Sequence, residues 1–303
     1  MEVVVEATDD DLHALNSLRP MYCAVRPIIA AEFLRLTIPA GNHSLLGISR
    51  WGQVLDSPVE GTDAFGALDI LDHRHGFDRP GFLAFSLVAE DRRDAFLAEA
   101  LRQVDFARAG YSEVLTWWAV SRILTAYASP MWSYSLQQYL SGLSDEPIRV
   151  HAPGWEDVDG ERIVLNRCAR TGLPLVHERA PWFLKSVCPH MSAFGSVAAL
   201  ADWYRQLATA PRYAEVRDFL NARAAHQIVG QRYIAGFTSR WPREAPGNVL
   251  GHLAAGGSMI GGWRRRDGVA FAATCSVYFH DIKERQRLVH RVLDIVERIG
   301  GRI

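Results

Sequence analysis

The stretch "MYCAVRPIIAAEFLRL", residues 21–36, decides how the rest of the chain is read. Apolar residues at 25, 28, 29, 33 and 36 recur at helical spacing. Pro27 falls in the first turn, where a missing N–H costs nothing. The spacing predicts a helix from Ala24 to Leu36, with Cys23 at its N-terminus and Arg26 one turn in. Two readings meet here. Cysteine is among the most buried residue types, so Cys23 suits the start of a core helix. A thiol at a helix N-terminus beside a fixed cation also has the surroundings of a nucleophile.

Upstream, "EVVVEA" (2–7) reads as a short strand, and "TDDD" can cap a short helix through "LHALNSL". Residues 39–66, rich in Gly, Pro and polar side chains, read as a surface loop. Helical patterns return at "FGALDILDHRHGF", "DRRDAFLAEALRQVDFARAG" and "EVLTWWAVSRILTAYA", and again at "VAALADWYRQLA". After about residue 230 the pattern changes. "QRYIAGFTSRW", "NVLGHLAAGGSMIGGWRRR" and "GVAFAATCSVYF" are strand-rich and joined by short turns such as "RDG", as in an antiparallel meander. The last segment places Leu288, Val289, Val292, Leu293, Val296 and Ile299 on one helical face, which should lie across that sheet. The expected fold class is α+β: an antiparallel sheet flanked by helices, with an inserted, mostly helical lobe. The expected division is 1–60 plus 215–303 for the sheet lobe and 61–214 for the helical lobe, with a cleft between them.

Composition narrows the functions. The 303 residues carry 33 basic against 34 acidic side chains, a net charge of −1, so no footprint for nucleic acid or anionic lipid is present. No apolar run approaches the ~18 residues a membrane span needs, and the acidic start "MEVVVEATDDDL" is unlike a signal peptide, which implies a cytoplasmic protein. The four cysteines, Cys23, Cys168, Cys188 and Cys275, form no CxxC pair, which argues against a disulfide framework or a zinc knuckle. His73 and His75 have no third ligand at suitable spacing. No metal and no cofactor is expected.

Taken in order, the segments resemble the serine β-lactamase and penicillin-binding-protein-like superfamily, in its class C β-lactamase-like esterase and transacylase branch. The family's Ser-x-x-Lys followed by Pro and an apolar helix is matched by "CAVRPIIAAEFLRL", with Cys23 and Arg26 in the two key places. Its H-x-S-G segment looks like "ALDILDHRHGF". Its Tyr-x-Asn motif looks like "GYSEVLTWWAVSRIL", with Tyr111 for the tyrosine and Glu113 for the Asn. Its Lys/His-Thr-Gly strand looks like "GHLAAGGSMIGGW", with His252 in the basic place. No Ser-x-x-Lys exists in the chain, whose two lysines are Lys185 and Lys283. The family's N-terminal strand pair also has little room before Cys23, so those strands should be shortened.

The two substitutions make chemical sense together. A serine needs a base, which a neutral lysine supplies and an arginine, with a pKa above ~12, does not. A thiol at ~8.5 needs only its anion stabilised, by a fixed cation and a helix N-terminus. The resemblance then implies catalytic roles for Cys23, Arg26, Tyr111 and His252. Tyr111 would relay a proton to the leaving group, and His252, titrating near 6.5, would act as acid or base. Glu113 would hold Arg26 by an ion pair, and the N–H groups of Cys23 and Ala255 would form the oxyanion hole. Cys188 and His190 are a second candidate Cys/His pair.

The function so implied is an acyltransferase or an ester-, amide- or thioester-cleaving enzyme working through a Cys23 thioester, placed in specialised, natural-product metabolism. Its partners would be a small-molecule acyl donor, a carrier-protein or coenzyme A thioester among the options, and an amine, alcohol or water as acceptor. Two other readings stay open: an inactive relative that binds a ligand in the same cleft, and a lyase or cyclase using Tyr111 and His252 without a covalent intermediate.

Overall fold

The computed structural model describes residues 17–38, 88–89, 92, 95–96, 99–100, 166–173, 175, 194–223, 226–228, 231–239, 241, 247–254, 259–275, 277–279 and 281–300. The early strand, the surface loop 39–66 and the helices expected between 65 and 128 lie outside them, apart from a few positions near 90–100.

The expected meander is present. Strands β4 (His226–Ile228), β5 (Gln231–Ile234), β6 (Phe237–Thr238), β7 (Val249–Leu253), β8 (Met259–Arg264) and β9 (Val269–Thr274) form one six-stranded sheet in sequential order, every neighbouring pair antiparallel. The turn between β5 and β6 is two residues, Ala235 (φ 47°) and Gly236 (φ 89°). Left-handed backbone at both places matches the twist of the flanking strands, and the alanine bears the steric cost that glycine avoids.

Alternation along the strands sorts side chains onto two faces. Val249, Ile260, Val269 and Phe271 cluster with Trp241 and with Val289, Val292, Leu293 and Val296 of the C-terminal helix Ile282–Gly300. Each such side chain, once buried, contributes about 1.5–3 kcal/mol. The helix thus lies across the sheet as its apolar stripe predicts. Arg264, on the same face, is buried and holds the helix through Glu297 Oε2 (2.7 Å) while bracing its own turn through Asp267 Oδ2 (2.7 Å).

Leu250 and His252 consequently point to the opposite face, as do Met259, Gly261 and Trp263. Two helices cover that side. Helix α1 (Arg26–Thr37) follows a 3₁₀ turn, Tyr22–Val25, and packs on β6 and β7. Helix α2 (Val197–Thr209), assigned by the sequence division to the segment 61–214, packs on β8 and β9. Its start is capped by Ser196, whose Oγ accepts the Ala199 N–H (3.0 Å). Gly261 allows the close approach: a Cβ there would sit 2.5 Å from the Tyr204 ring.

Helix α1 differs from the one-sided helix its spacing predicts. Every residue from Arg26 to Leu34 is buried, Ala30, Ala31 and the charged Arg26 and Glu32 included. A helix covered all round is a central element, and its polar members need internal partners. Glu32 accepts hydrogen bonds from the Tyr213 hydroxyl and from Arg35 Nε (2.7 Å). Tyr213 ends a 3₁₀ turn, Pro211–Tyr213, that leads into α3 (Ala214–Ala222), a helix the sequence reading did not single out. Helix α4 is the C-terminal helix Ile282–Gly300.

Two short pairings complete the described structure. Strand β1 (Arg19–Pro20) runs antiparallel to β3 (Phe194–Gly195), and β2 (Arg167–Cys168) runs parallel to β10 (Val277–Tyr278).

Candidate active site

Cys23 lies in the 3₁₀ turn that feeds α1, its carbonyl accepting the Arg26 N–H. Pro27 stands in the first helical turn, as the spacing predicts. Immediately before the thiol, Tyr22 adopts a left-handed backbone with φ 44°. A bulky non-glycine residue there stores about 1–3 kcal/mol of strain, which packing must hold in place. That packing comes from strands β7 and β8, against which the turn rests. The sequence carries no sign of this strain.

The turn is enclosed. Cys23 is 7% exposed and Arg26 is fully buried. The helix N-terminus and a guanidinium therefore act on this region with little solvent screening.

His252 reaches the same face from β7. Its Nδ1 lies 3.0 Å from the Leu253 carbonyl oxygen. A carbonyl only accepts, so Nδ1 carries the proton and Nε2 presents its lone pair. Nε2 is buried and has no hydrogen-bond partner among the described residues. Burial, first, and the Arg26 charge, second, push the imidazole pKa down from 6.5 to about 3, against a weaker opposing pull from the Leu253 carbonyl. The expectation of titration near 6.5 is thereby overturned. At neutral pH His252 is an uncharged acceptor and has no proton on Nε2 to give.

Behind it stands Tyr204 of α2, fully buried, its hydroxyl approaching the His252 main-chain N–H without completing a hydrogen bond of ordinary geometry. Burial pushes its phenol well up, and the His252 N–H offsets part of that. The sequence reading placed Tyr204 only within a helical pattern, "VAALADWYRQLA", and did not connect it with His252.

Three of the expected site residues, Cys23, Arg26 and His252, are thus brought together from two distant segments. Tyr111, Glu113, Ala255, Cys188 and His190 lie outside the described residues, as do His73 and His75. Among the described residues no group of three or more His, Cys, Asp or Glu side chains could hold a metal ion. No described helix is long and apolar enough to cross a membrane.

Solved structures share the fold of this chain over most of their length. A D-amino acid amidase from Ochrobactrum anthropi SV3 is 13% identical, with a TM-score of 0.66 over 94% of this chain and 85% of that one. The shared fold is that of solved structures named as a penicillin-binding-protein homologue and a β-lactamase. A β-lactamase/D-alanine carboxypeptidase from Pseudomonas syringae is 12% identical, with a TM-score of 0.66 over 92% and 85% of the two chains. EstA from Arthrobacter nitroguajacolicus Rue61a is 13% identical, with a TM-score of 0.63 over 94% and 86%. No family model and no curated protein matches the sequence. At such identities a β-lactamase-like fold is established, and chemistry has to be argued from the residues.

Proposed function

We propose that this chain is an enzyme of acyl chemistry, cleaving an ester, amide or thioester or transferring its acyl group, through a thioester on Cys23. The observation that carries this reading is the meeting of the strained Cys23 turn, the buried Arg26 guanidinium and the neutral His252 on one face of the sheet. Solved structures of like fold include, by name, a D-amino acid amidase, a β-lactamase/D-alanine carboxypeptidase and a family VIII carboxylesterase, which agrees with it.

In the step envisaged, the Cys23 sulfur anion attacks the acyl carbon, and the carbonyl electron pair moves to oxygen. The tetrahedral adduct then expels its leaving group, which takes up a proton, and leaves the thioester. Arg26 and the α1 N-terminus stabilise the sulfur anion. The oxyanion would be met by the N–H groups of Cys23 and Ala255, each worth about 3 kcal/mol at such a position. His252, neutral, accepts a hydrogen bond rather than giving one, so the proton for the leaving group is assigned to Tyr111. Glu113 keeps its proposed ion pair with Arg26, and Cys188 with His190 stays the second candidate pair. Donor and acceptor are small molecules, a carrier-protein or coenzyme A thioester being one form of donor. Acyl transfer in a biosynthetic setting is favoured over hydrolysis because a thioester passes readily to an amine. Thiols rather than disulfides at Cys23, Cys168 and Cys275 agree with a cytoplasmic location.

A second reading has its own support. The 7% exposure of Cys23 fits a relative that binds a ligand beside a retired nucleophile. The lyase or cyclase reading is weakened, since it asked His252 for proton transfer, and an imidazole with a pKa pushed down to about 3 is a weak base with no Nε2 proton to give at neutral pH. Turnover of a panel of activated esters and acyl thioesters by the wild type and by Cys23→Ala separates the first two: loss of turnover in the variant supports the enzyme, and no turnover in either supports the binding protein.

A further inference from the structure

A buried acceptor without a donor is an expensive feature, costing about 1–3 kcal/mol. His252 Nε2 is such an atom: the Nδ1–H is committed to the Leu253 carbonyl, and Nε2 meets no hydrogen-bond partner among the described residues. It stands on the sheet face against which the Cys23 turn rests. We infer that His252 Nε2 is a specificity-determining acceptor that selects acyl compounds carrying a neutral N–H or O–H donor beside the reacting carbonyl. That a carbonyl reacts beside it rests on the acyl-chemistry reading, but the acceptor role itself does not depend on turnover.

The donor has to be neutral. The Arg26 charge that disfavours an imidazolium at His252 disfavours an ammonium group placed there for the same reason. An amide N–H or a hydroxyl meets the requirement, and a protonated amine does not. Discrimination should be sharp, because a site whose buried polar atom expects a hydrogen bond rejects an analogue that lacks one far more strongly than an apolar pocket rejects a missing methyl group.

Nitrogen NMR of the full chain, with histidine labelled at its ring nitrogens, tests this directly. The His252 resonances are assigned by their loss in His252→Gln, or by coupling across the hydrogen bond to a labelled Leu253 carbonyl. From pH 5 to 8, Nε2 is expected to show the unprotonated shift and Nδ1 the protonated one. Acetamide should move the Nε2 resonance in the direction of an accepted hydrogen bond, and N,N-dimethylacetamide, which has no N–H, should leave it in place. A proton on Nε2, or the same response to both probes, including none, overturns the inference. The acyl-enzyme reading is tested apart, by the turnover lost or kept in Cys23→Ala, so the failure of one is not the failure of the other.

Discussion

The Arg26 guanidinium acts on the His252 imidazole across the interface between the Cys23 turn and strand β7, and both groups are buried. Charge and burial push the imidazole the same way, toward the neutral form. Replacing Arg26 with Met removes the second of the two causes while keeping an unbranched apolar stem. The His252 pKa should rise from about 3 toward 6.5 without reaching it, because burial remains. An NMR titration of the imidazole checks this, and an unmoved pKa would show that Arg26 has no hold on His252.

Stability should depend on pH through the same histidine. Its folded pKa is depressed, so between pH 6.5 and about 3 the unfolded chain binds a proton that the folded chain refuses. Stability is therefore complete above pH 6.5 and falls on acidification through that window, by up to ~1.4 kcal/mol per pH unit from this one group. Urea denaturation at a series of pH values should give a shallower slope for His252→Gln than for the wild type. Equal slopes would place the protonation elsewhere.

Glu32 and Tyr213 tie α1 to the turn before α3. Tyr213→Phe leaves the buried carboxylate short of one donor, with Arg35 still bound. The expected loss is about 1–3 kcal/mol, read as a lower urea midpoint with an unchanged m value. Burial first, and then the charge and hydrogen bond of Glu32, push the Tyr213 phenol well up, so it stays protonated as the donor across the range of the experiment.

At Gly261 the sheet and α2 are in close contact. A methyl group there would meet Tyr204 at 2.5 Å and Leu200 at 2.9 Å, and both side chains are fully buried. Gly261→Ala should destabilise the protein by about 1–3 kcal/mol. The double variant with Leu200→Ala should recover part of that loss, a non-additivity that a double-mutant cycle measures.

What the sequence makes legible here is periodic and local. The meander and helix α4 follow from alternation and an apolar stripe, and Pro27 fixes the beginning of α1. The all-round burial of α1 was partly written in the run "IIAAEFL", where one carboxylate sits among apolar neighbours, but its partner Tyr213 is remote in sequence. Long-range pairings of this kind have no local signature. The same holds for the site. Residue type and order brought Cys23, Arg26 and His252 forward, yet the state of His252 depends on burial and on a charge from another segment. Its ordinary pKa was the wrong guide because desolvation is a property of packing.

The proposed Cys23 thioester is tested most directly by acid-quenching the protein seconds after mixing with an activated acyl thioester, then measuring intact mass and mapping the peptides. The account predicts an increment equal to the acyl group, located on the peptide that contains Cys23 and absent from Cys23→Ala. Turnover that proceeds undiminished in Cys23→Ala, or an acyl group found on a different residue, would contradict it.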